Sequence, residues 1–197
     1  MIHIHEKRVI LASSSPRRHE LLQLVGIPHQ VRAADVDESY REGEKPHEYA
    51  ERLAASKARA VAESDSDAIV IGADTIVVAD DEIMGKPRDR TDASRMLAIL
   101  QGRSHTVITA VAVSCDGRLE SDVEHVEVTF RPLDSDEIAA YIDTGEPMDK
   151  AGAYGIQGYG ATIVRRIDGD YFAVMGLSLA LCVELLEKVG VRYTFAR

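Results

Sequence analysis

The sequence predicts an α/β fold, a mixed twisted sheet with flanking helices. Three observations carry that prediction. Apolar strand-like runs alternate with helical patterns early in the chain, and hairpin signals take over later. The run "IVIGADTIVV" is apolar without alternation, as expected of a strand covered on both faces.

Each element follows from its own stretch of sequence. Val9–Ala12 is a short apolar run that reads as a buried strand. Pro16–Val25 carries Leu21, Leu22, Leu24 and Val25 at helical spacing, and Gly26 is placed to end it. Residues 27–46, "IPHQVRAADVDESYREGEKP", predict a strand and then an acidic loop. His47–Glu63 is a second helix with apolar positions at Ala50, Leu53, Ala54, Ala58 and Val61.

"AIVIGADTIVVADDEIMGKP" predicts a strand region with a turn at Asp80-Asp81, and Thr91–Leu100 a helix opened by Asp or Thr and closed by Gly102. His105–Cys115 and Val123–Pro132 are strand patterns with an Asp116-Gly117 turn signal between them. Asp134–Thr144 is a helix capped by Ser135 or Asp134. A glycine-rich loop, Gly152–Gly160, precedes "ATIVRRIDGDYFAV", which reads as a hairpin, and Leu177–Val189 is the closing helix.

Composition bounds the function. A chain of 197 residues with 45% hydrophobic and 28% charged residues can bury a core, and its length suits one domain or one domain with two lobes. The net charge of -10 argues against general nucleic-acid binding, so cations for a phosphate ligand must be concentrated locally. Cys115 and Cys182 read as small buried hydrophobes, making neither a disulfide framework nor a zinc set. "MIHIHEKR" has no apolar signal region, and "MGLSLALCVELL" is shorter than the roughly 20 residues that span a bilayer. The expected location is the cytoplasm, with no membrane partner.

Several constellations then suggest chemistry. "VILASSSPRRHELL" joins a strand to a helix through Ser15, a good N-cap, and Pro16, a good first helical residue. Arg17 and Arg18 fall in the first turn, against the helix dipole, where free N–H groups favour an anion. Such a stretch is either a capped helix with surface arginines or an anion site. It lacks the glycines and the Lys-Ser/Thr pair of the Walker pattern. Lys57 sits inside the apolar stripe of the second helix, which implies either snorkelling to solvent or a cation aimed into a cleft.

Asp74 lies in a doubly buried strand, where a carboxylate is costly unless paired, metal-bound or at an opening. Gly72 offers a bulge that would re-aim it. Asp35, Asp37 and Glu38 form an acidic loop, and two carboxylates from separate segments suit Mg²⁺ together with substrate phosphates. Lys86 sits in a turn set by Gly85 and Pro87. The loop "DKAGAYGIQGYG" has no dinucleotide fingerprint, but its glycines suit tight turns or the approach of a flat ligand, and Gln157 offers an amide for a base edge. The set suits a nucleoside polyphosphate with Mg²⁺.

"LASSSPRRHELL", "GADTIVV", "GKPRD" and "DKAGAYGIQGYGA" resemble, in order, the signature blocks of the Maf family of nucleotide pyrophosphatases. The resemblance covers roughly residues 9 to 187. It implies an inosine-triphosphate-pyrophosphatase-like fold, with two lobes around a cleft and one domain over residues 1–197. It further implies metal-dependent hydrolysis of a nucleoside triphosphate to the monophosphate and pyrophosphate, with Mg²⁺ or Mn²⁺ as the cation. On it, Asp74 is the catalytic carboxylate, as general base or metal ligand; Glu38, Lys57, Lys86 and Arg18 match further active-site positions; and Asp74 with Glu38 would hold the metal. Ser13, Ser15, Arg17, Thr75 and Gln157 match positions linked to substrate binding and choice.

The blocks S-P-R-R, A-D-T and G-A-Y-G-I-Q-G are those of the branch acting on dTTP and UTP. A sister branch acting on 7-methyl-GTP carries a tryptophan after the proline, and this chain has no tryptophan. The resemblance also implies a homodimer. The alternative function is a non-catalytic nucleotide sensor controlling cell division. Residues 1–8 form an extension outside the blocks, in which His3 and His5 have chelating spacing but a flexible terminus is the expectation.

Overall fold

The computed structural model describes residues 2–195. In chain order its elements are β1 (Ile2–His3), β2 (Val9–Leu11), α1 (Pro16–Leu24), β3 (Gln30–Val31), α2 (Pro46–Ala62), β4 (Ile69–Ala79), β5 (Glu82–Met84), α3 (Arg90–Leu100), β6 (Ser104–Cys115), β7 (Arg118–Phe130), α4 (Ser135–Asp143), β8 (Val164–Asp168), α5 (Tyr171–Met175), α6 (Leu179–Lys188) and β9 (Val191–Arg192). Seven strands form one sheet in the order β3-β2-β4-β6-β7-β8, with β5 paired to β4. It is mixed: β2 runs parallel to β3 and β4, whereas β4–β5 and β7–β8 are antiparallel. The α/β expectation holds. No helix among the described residues is long and apolar enough to cross a membrane.

The described residues cluster into two compact units. The first comprises the chain up to Asp74, Thr109–Glu124 and the chain from Gly176 onward. Its centre is β2, buried at every residue, in register with Ile69–Ile71 of β4. Burying each such Ile or Leu contributes about 1.5–3 kcal/mol. Helix α2 turns Ala50, Leu53, Ala54, Ala58 and Val61 inward, as its apolar stripe predicts.

Gly72 explains how closely α2 lies on β4. A Cβ there would stand 2.3 Å from the Ala54 carbonyl oxygen and 2.9 Å from the Ala58 nitrogen. Helix and strand therefore meet backbone to backbone, which only glycine and small residues permit. Whatever the local register, Gly72 supplies this close approach. The approach sets Lys57, next to Ala58, beside Asp74, two residues beyond Gly72.

The N-terminal extension is also unlike its expectation. Ile2 and His3 form a strand parallel to β9, and Ile4 is fully buried. An apolar side chain with a place in the core holds the segment down, so it is not a loose arm.

The second unit comprises Thr75–Ile108 and His125–Met175. Asp80 and Asp81 both have positive φ and turn β4 into β5, the conformation of a two-residue hairpin turn. Asp89 caps α3 by accepting from the Asp92 N–H at 2.8 Å. Of the two cap candidates for α4, Asp134 fills the position, in a capping box with Glu137. Leu97, Leu100, Val126, Val128, Phe130, Ala153 and Ala173 belong to its core.

Two readings need correction. β7 begins at Arg118, five residues before Val123, because the tight Asp116-Gly117 turn starts pairing at once. "ATIVRRIDGDYFAV" is not a hairpin: after β8 the chain enters α5, where the Asp170 carboxylate accepts from the Phe172 N–H at 2.8 Å. An aspartate that caps a helix start overrides the strand propensity of Tyr171 and Phe172.

Candidate active site

In the first unit, the loop from β2 to α1 is organised around Ser13, which is 8% exposed. Its Oγ accepts from the Ser15 N–H at 3.2 Å and from Arg18 Nη1 at 3.1 Å. Ser15 occupies the N-cap position, yet its side chain makes no cap bond. The expected cap is thus a matter of position only, and the serine that binds backbone is Ser13.

Arg18 is drawn inward. Its Nη1 also donates to the Ala73 carbonyl at 2.8 Å, and its Nε donates to the Gly176 carbonyl at 2.7 Å. Burial lowers the guanidinium pKa, with the charges of Asp74 and Glu38 opposing and that of Arg17 reinforcing the change. The alternative of two surface arginines is wrong for Arg18, because backbone carbonyls of distant segments fix it. Arg17 is half-buried.

Asp74 and Lys57 are 8% and 9% exposed. The Lys57 ammonium lies 2.7 Å from Asp74 Oδ1 and 2.7 Å from Glu38 Oε1. Two carboxylates from different segments share one cation, so Lys57 does not snorkel. Burial pushes the Asp74 carboxyl above its usual range, while Lys57 and Arg18 pull it back.

Glu38 itself is exposed, and its loop is tied to α2 by residues that the sequence reading did not single out. Tyr49 Oη donates to the Glu38 carbonyl at 2.8 Å, and Arg52 donates to the Ser39 carbonyl at 3.0 Å and to Glu44 at 2.5 and 2.8 Å. Tyr49 and Arg52 are one helical turn apart, which places them on one face of α2. That spacing was visible, but nothing in the sequence named their loop partners. Asp37 accepts from the Ser39 N–H at 2.9 Å and so serves the turn, and Asp35 is exposed.

The structure therefore gathers Ser13, Arg18, Glu38, Lys57 and Asp74. Thr75, Lys86 and Gln157 belong to the second unit. Thr75 follows Asp74 along β4 and is half-buried. Lys86 is exposed, on a turn secured where the Asp92 carboxylate accepts from the Arg88 N–H at 3.2 Å and where Gly85 accepts from the Gly152 N–H at 3.1 Å. Gln157 is exposed on the glycine-rich turn, and its side chain makes no cap bond.

The family model described as Maf-like protein matches residues 8–189. The chain belongs to the Maf family. Curated relatives of this Maf chain include proteins named dTTP/UTP pyrophosphatase. That of Bacillus velezensis is 50% identical over 94% of this chain and 98% of its own. That of Symbiobacterium thermophilum is 53% identical over 93% and 95%, and that of Moorella thermoacetica 51% over 93% and 96%. Among solved structures, the Staphylococcus aureus Ham1 protein is similar with a TM-score of 0.48 and 16% identity over 80% of each chain.

The donor chemistry of this Maf chain fits a hard divalent cation. Asp74 and Glu38 already converge on a single positive charge, that of Lys57. No group of three or more His, Cys, Asp or Glu among the described residues makes a complete cage. Mg²⁺ is commonly held by one or two carboxylates with substrate phosphates supplying further oxygens, so two acidic side chains suffice.

Proposed function

We propose that this protein hydrolyses dTTP and UTP to the monophosphate and pyrophosphate. One observation carries the reading: a buried carboxylate, Asp74, faces Lys57 and is joined through it to Glu38, with the charge of Arg18 alongside. The names of the relatives at about half identity support the same reaction and the same bases.

In this mechanism a water oxygen bonds to the α-phosphorus while the bond from that phosphorus to the α,β-bridging oxygen breaks. The bond's electron pair leaves with pyrophosphate. Asp74 orients the water and takes its proton, a role favoured by a carboxyl pKa above the ordinary value. Arg17, Arg18, Lys57 and Lys86 offset the polyphosphate charge, and Ser13 and Ser15 steady the loop that presents the arginines. Mg²⁺ or Mn²⁺, held by Asp74 and Glu38, would supply Lewis-acid stabilisation of the charge developing on the phosphate oxygens. Gln157 and Thr75 select the base. Uracil and thymine offer one N–H donor between two carbonyl acceptors, which a carboxamide can complement in part.

A product assay in ¹⁸O-water tests the reading. Incubation with a nucleotide panel and Mg²⁺ should give labelled UMP or dTMP with unlabelled pyrophosphate, and chelation should stop turnover. UDP with phosphate would instead mean γ-cleavage. Tight binding without products would favour the nucleotide sensor. The same reading includes a homodimer in the cytoplasm, which sedimentation and cell fractionation would check.

A further inference from the structure

Two side chains outside the proposed reaction hold the glycine-rich turn of the second unit. Glu146 Oε1 accepts from the Tyr141 hydroxyl at 2.8 Å and from the Gly160 N–H at 2.9 Å, and its Oε2 accepts from the Tyr159 N–H at 2.9 Å. The Tyr141 oxygen in turn accepts from the Gly155 N–H at 3.1 Å. One carboxylate and one phenol therefore grip the turn at both ends, at Gly155 and at Tyr159-Gly160, with Gln157 between them.

The glycines are fitted to this grip. A Cβ at Gly158 would stand 2.4 Å from Glu146 Oε2. A Cβ at Gly160 would stand 2.0 Å from the Gly155 carbonyl oxygen and 2.8 Å from the Tyr141 hydroxyl. Gly158 and Gly160 thus make room for the clamp and for the turn itself. Gln157 is left as an outward-facing polar side chain on backbone whose neighbours are fixed. Lys150 closes the frame by donating to the Glu146 carbonyl at 2.6 Å while pairing with Asp149 at 2.6 Å. Burial works against the Glu146 charge, but the Gly160, Tyr141 and Tyr159 hydrogen bonds outweigh it and hold the carboxyl below the usual range.

We propose that Tyr141 and Glu146 are positioning residues for base selection, acting through Gln157. The inference rests on the reading of Gln157 as a base-contacting residue. A polar group discriminates between bases only if its position is set before the ligand arrives, since an amide free to swing can satisfy several base edges. Tyr141 and Glu146 restrict that freedom without touching the nucleotide.

The test uses the full chain. Tyr141→Phe removes the acceptor of the Gly155 N–H, and Glu146→Gln replaces one of the two accepting oxygens with an NH2 group that faces a backbone N–H, of Tyr159 or of Gly160. Each should lower the ratio of kcat/KM for UTP over CTP by about tenfold, mostly through KM for UTP, with kcat for UTP within about threefold of the parent. Tyr141→Phe combined with Gln157→Ala should discriminate no worse than Gln157→Ala alone, because both act through one side chain. In the unmodified protein without ligand, the Gly155, Tyr159 and Gly160 amides should be slow in hydrogen exchange.

Variants that melt earlier but keep the parental ratio would reduce the pair to a structural role and overturn the proposal, as would fast exchange of those amides. If Gln157→Ala itself leaves the ratio unchanged, the reading of Gln157 fails first, and the positioning role falls with it.

Discussion

Lys57 Nζ and Asp74 Oδ1 lie 2.7 Å apart, both side chains nearly withdrawn from water, and Glu38 approaches the same ammonium at 2.7 Å from a loop. The helix that carries Lys57 and the strand that carries Asp74 are brought together by Gly72. A buried pair of this kind is a weak source of net stability, because desolvation offsets most of the attraction. Its value is functional: it keeps a carboxylate charged and aimed in a dry setting.

The sharpest consequence concerns Asp74→Asn. The amide keeps the shape and an acceptor for Lys57, so the variant should fold with near-parental melting. Its kcat for dTTP should fall by about a thousandfold, the range of a lost acid-base group. A folded variant with near-parental kcat would remove Asp74 from the chemistry.

Lys57→Met separates electrostatics from packing. Loss of the ammonium leaves Asp74 buried without its nearest cation, at a cost of about 3 kcal/mol near neutral pH. The folded-state pKa of Asp74 already lies above its ordinary 3.8, so the native state holds that proton more tightly than the unfolded chain. The stability contributed by Asp74 is therefore full below 3.8 and declines as pH rises through the folded value. Removing Lys57 raises that value further. Urea unfolding across pH should show the deficit growing from acid to neutral, and the acid limb of kcat/KM should move to higher pH.

Much of this was legible from sequence, for physical reasons that differ by element. Lys57 stood out because a cation broke an apolar stripe, and Asp74 because a carboxylate interrupted a doubly buried strand. Both anomalies were local. What the sequence did not show was pairing across distance: that Arg18 bonds the Ala73 and Gly176 carbonyls, or that Tyr49 and Arg52 tie down the Glu38 loop. The close approach at Gly72 was hidden for the same reason, since its neighbours Ala54 and Ala58 lie on another element. At Asp170 the propensity of the aromatics hid a cap that only one carboxylate oxygen makes.

Gly72→Ala tests the close approach itself. The added methyl meets the Ala54 carbonyl at 2.3 Å, backbone that cannot rotate away, so α2 must lift from β4. Overpacking of this kind costs about 1–3 kcal/mol. Because α2 carries Lys57, activity should fall in the fully folded variant too, at temperatures well below its Tm. An active, stable Gly72→Ala protein would show that α2 has room to move without disturbing the pair.

His105 sets a separate limit on stability in the second unit. It is 5% exposed, edge-on to Phe130 and Tyr154; its Nε2 lies 2.7 Å from the Tyr154 hydroxyl, and its Nδ1 has no partner among the described residues. Burial, reinforced by the charge of Arg103, pushes its pKa from 6.5 down to about 4. A base with a depressed native pKa binds its proton less readily when folded, so its contribution is present above 6.5 and is lost as pH falls through about 4. The loss amounts to about 3 kcal/mol over that window. His105→Gln keeps a partner for Tyr154 but does not titrate. Its unfolding free energy should therefore lose that much less than the parent's between neutral pH and pH 4, and parallel profiles for the two proteins would show that His105 takes up its proton in the folded protein as readily as in the unfolded chain.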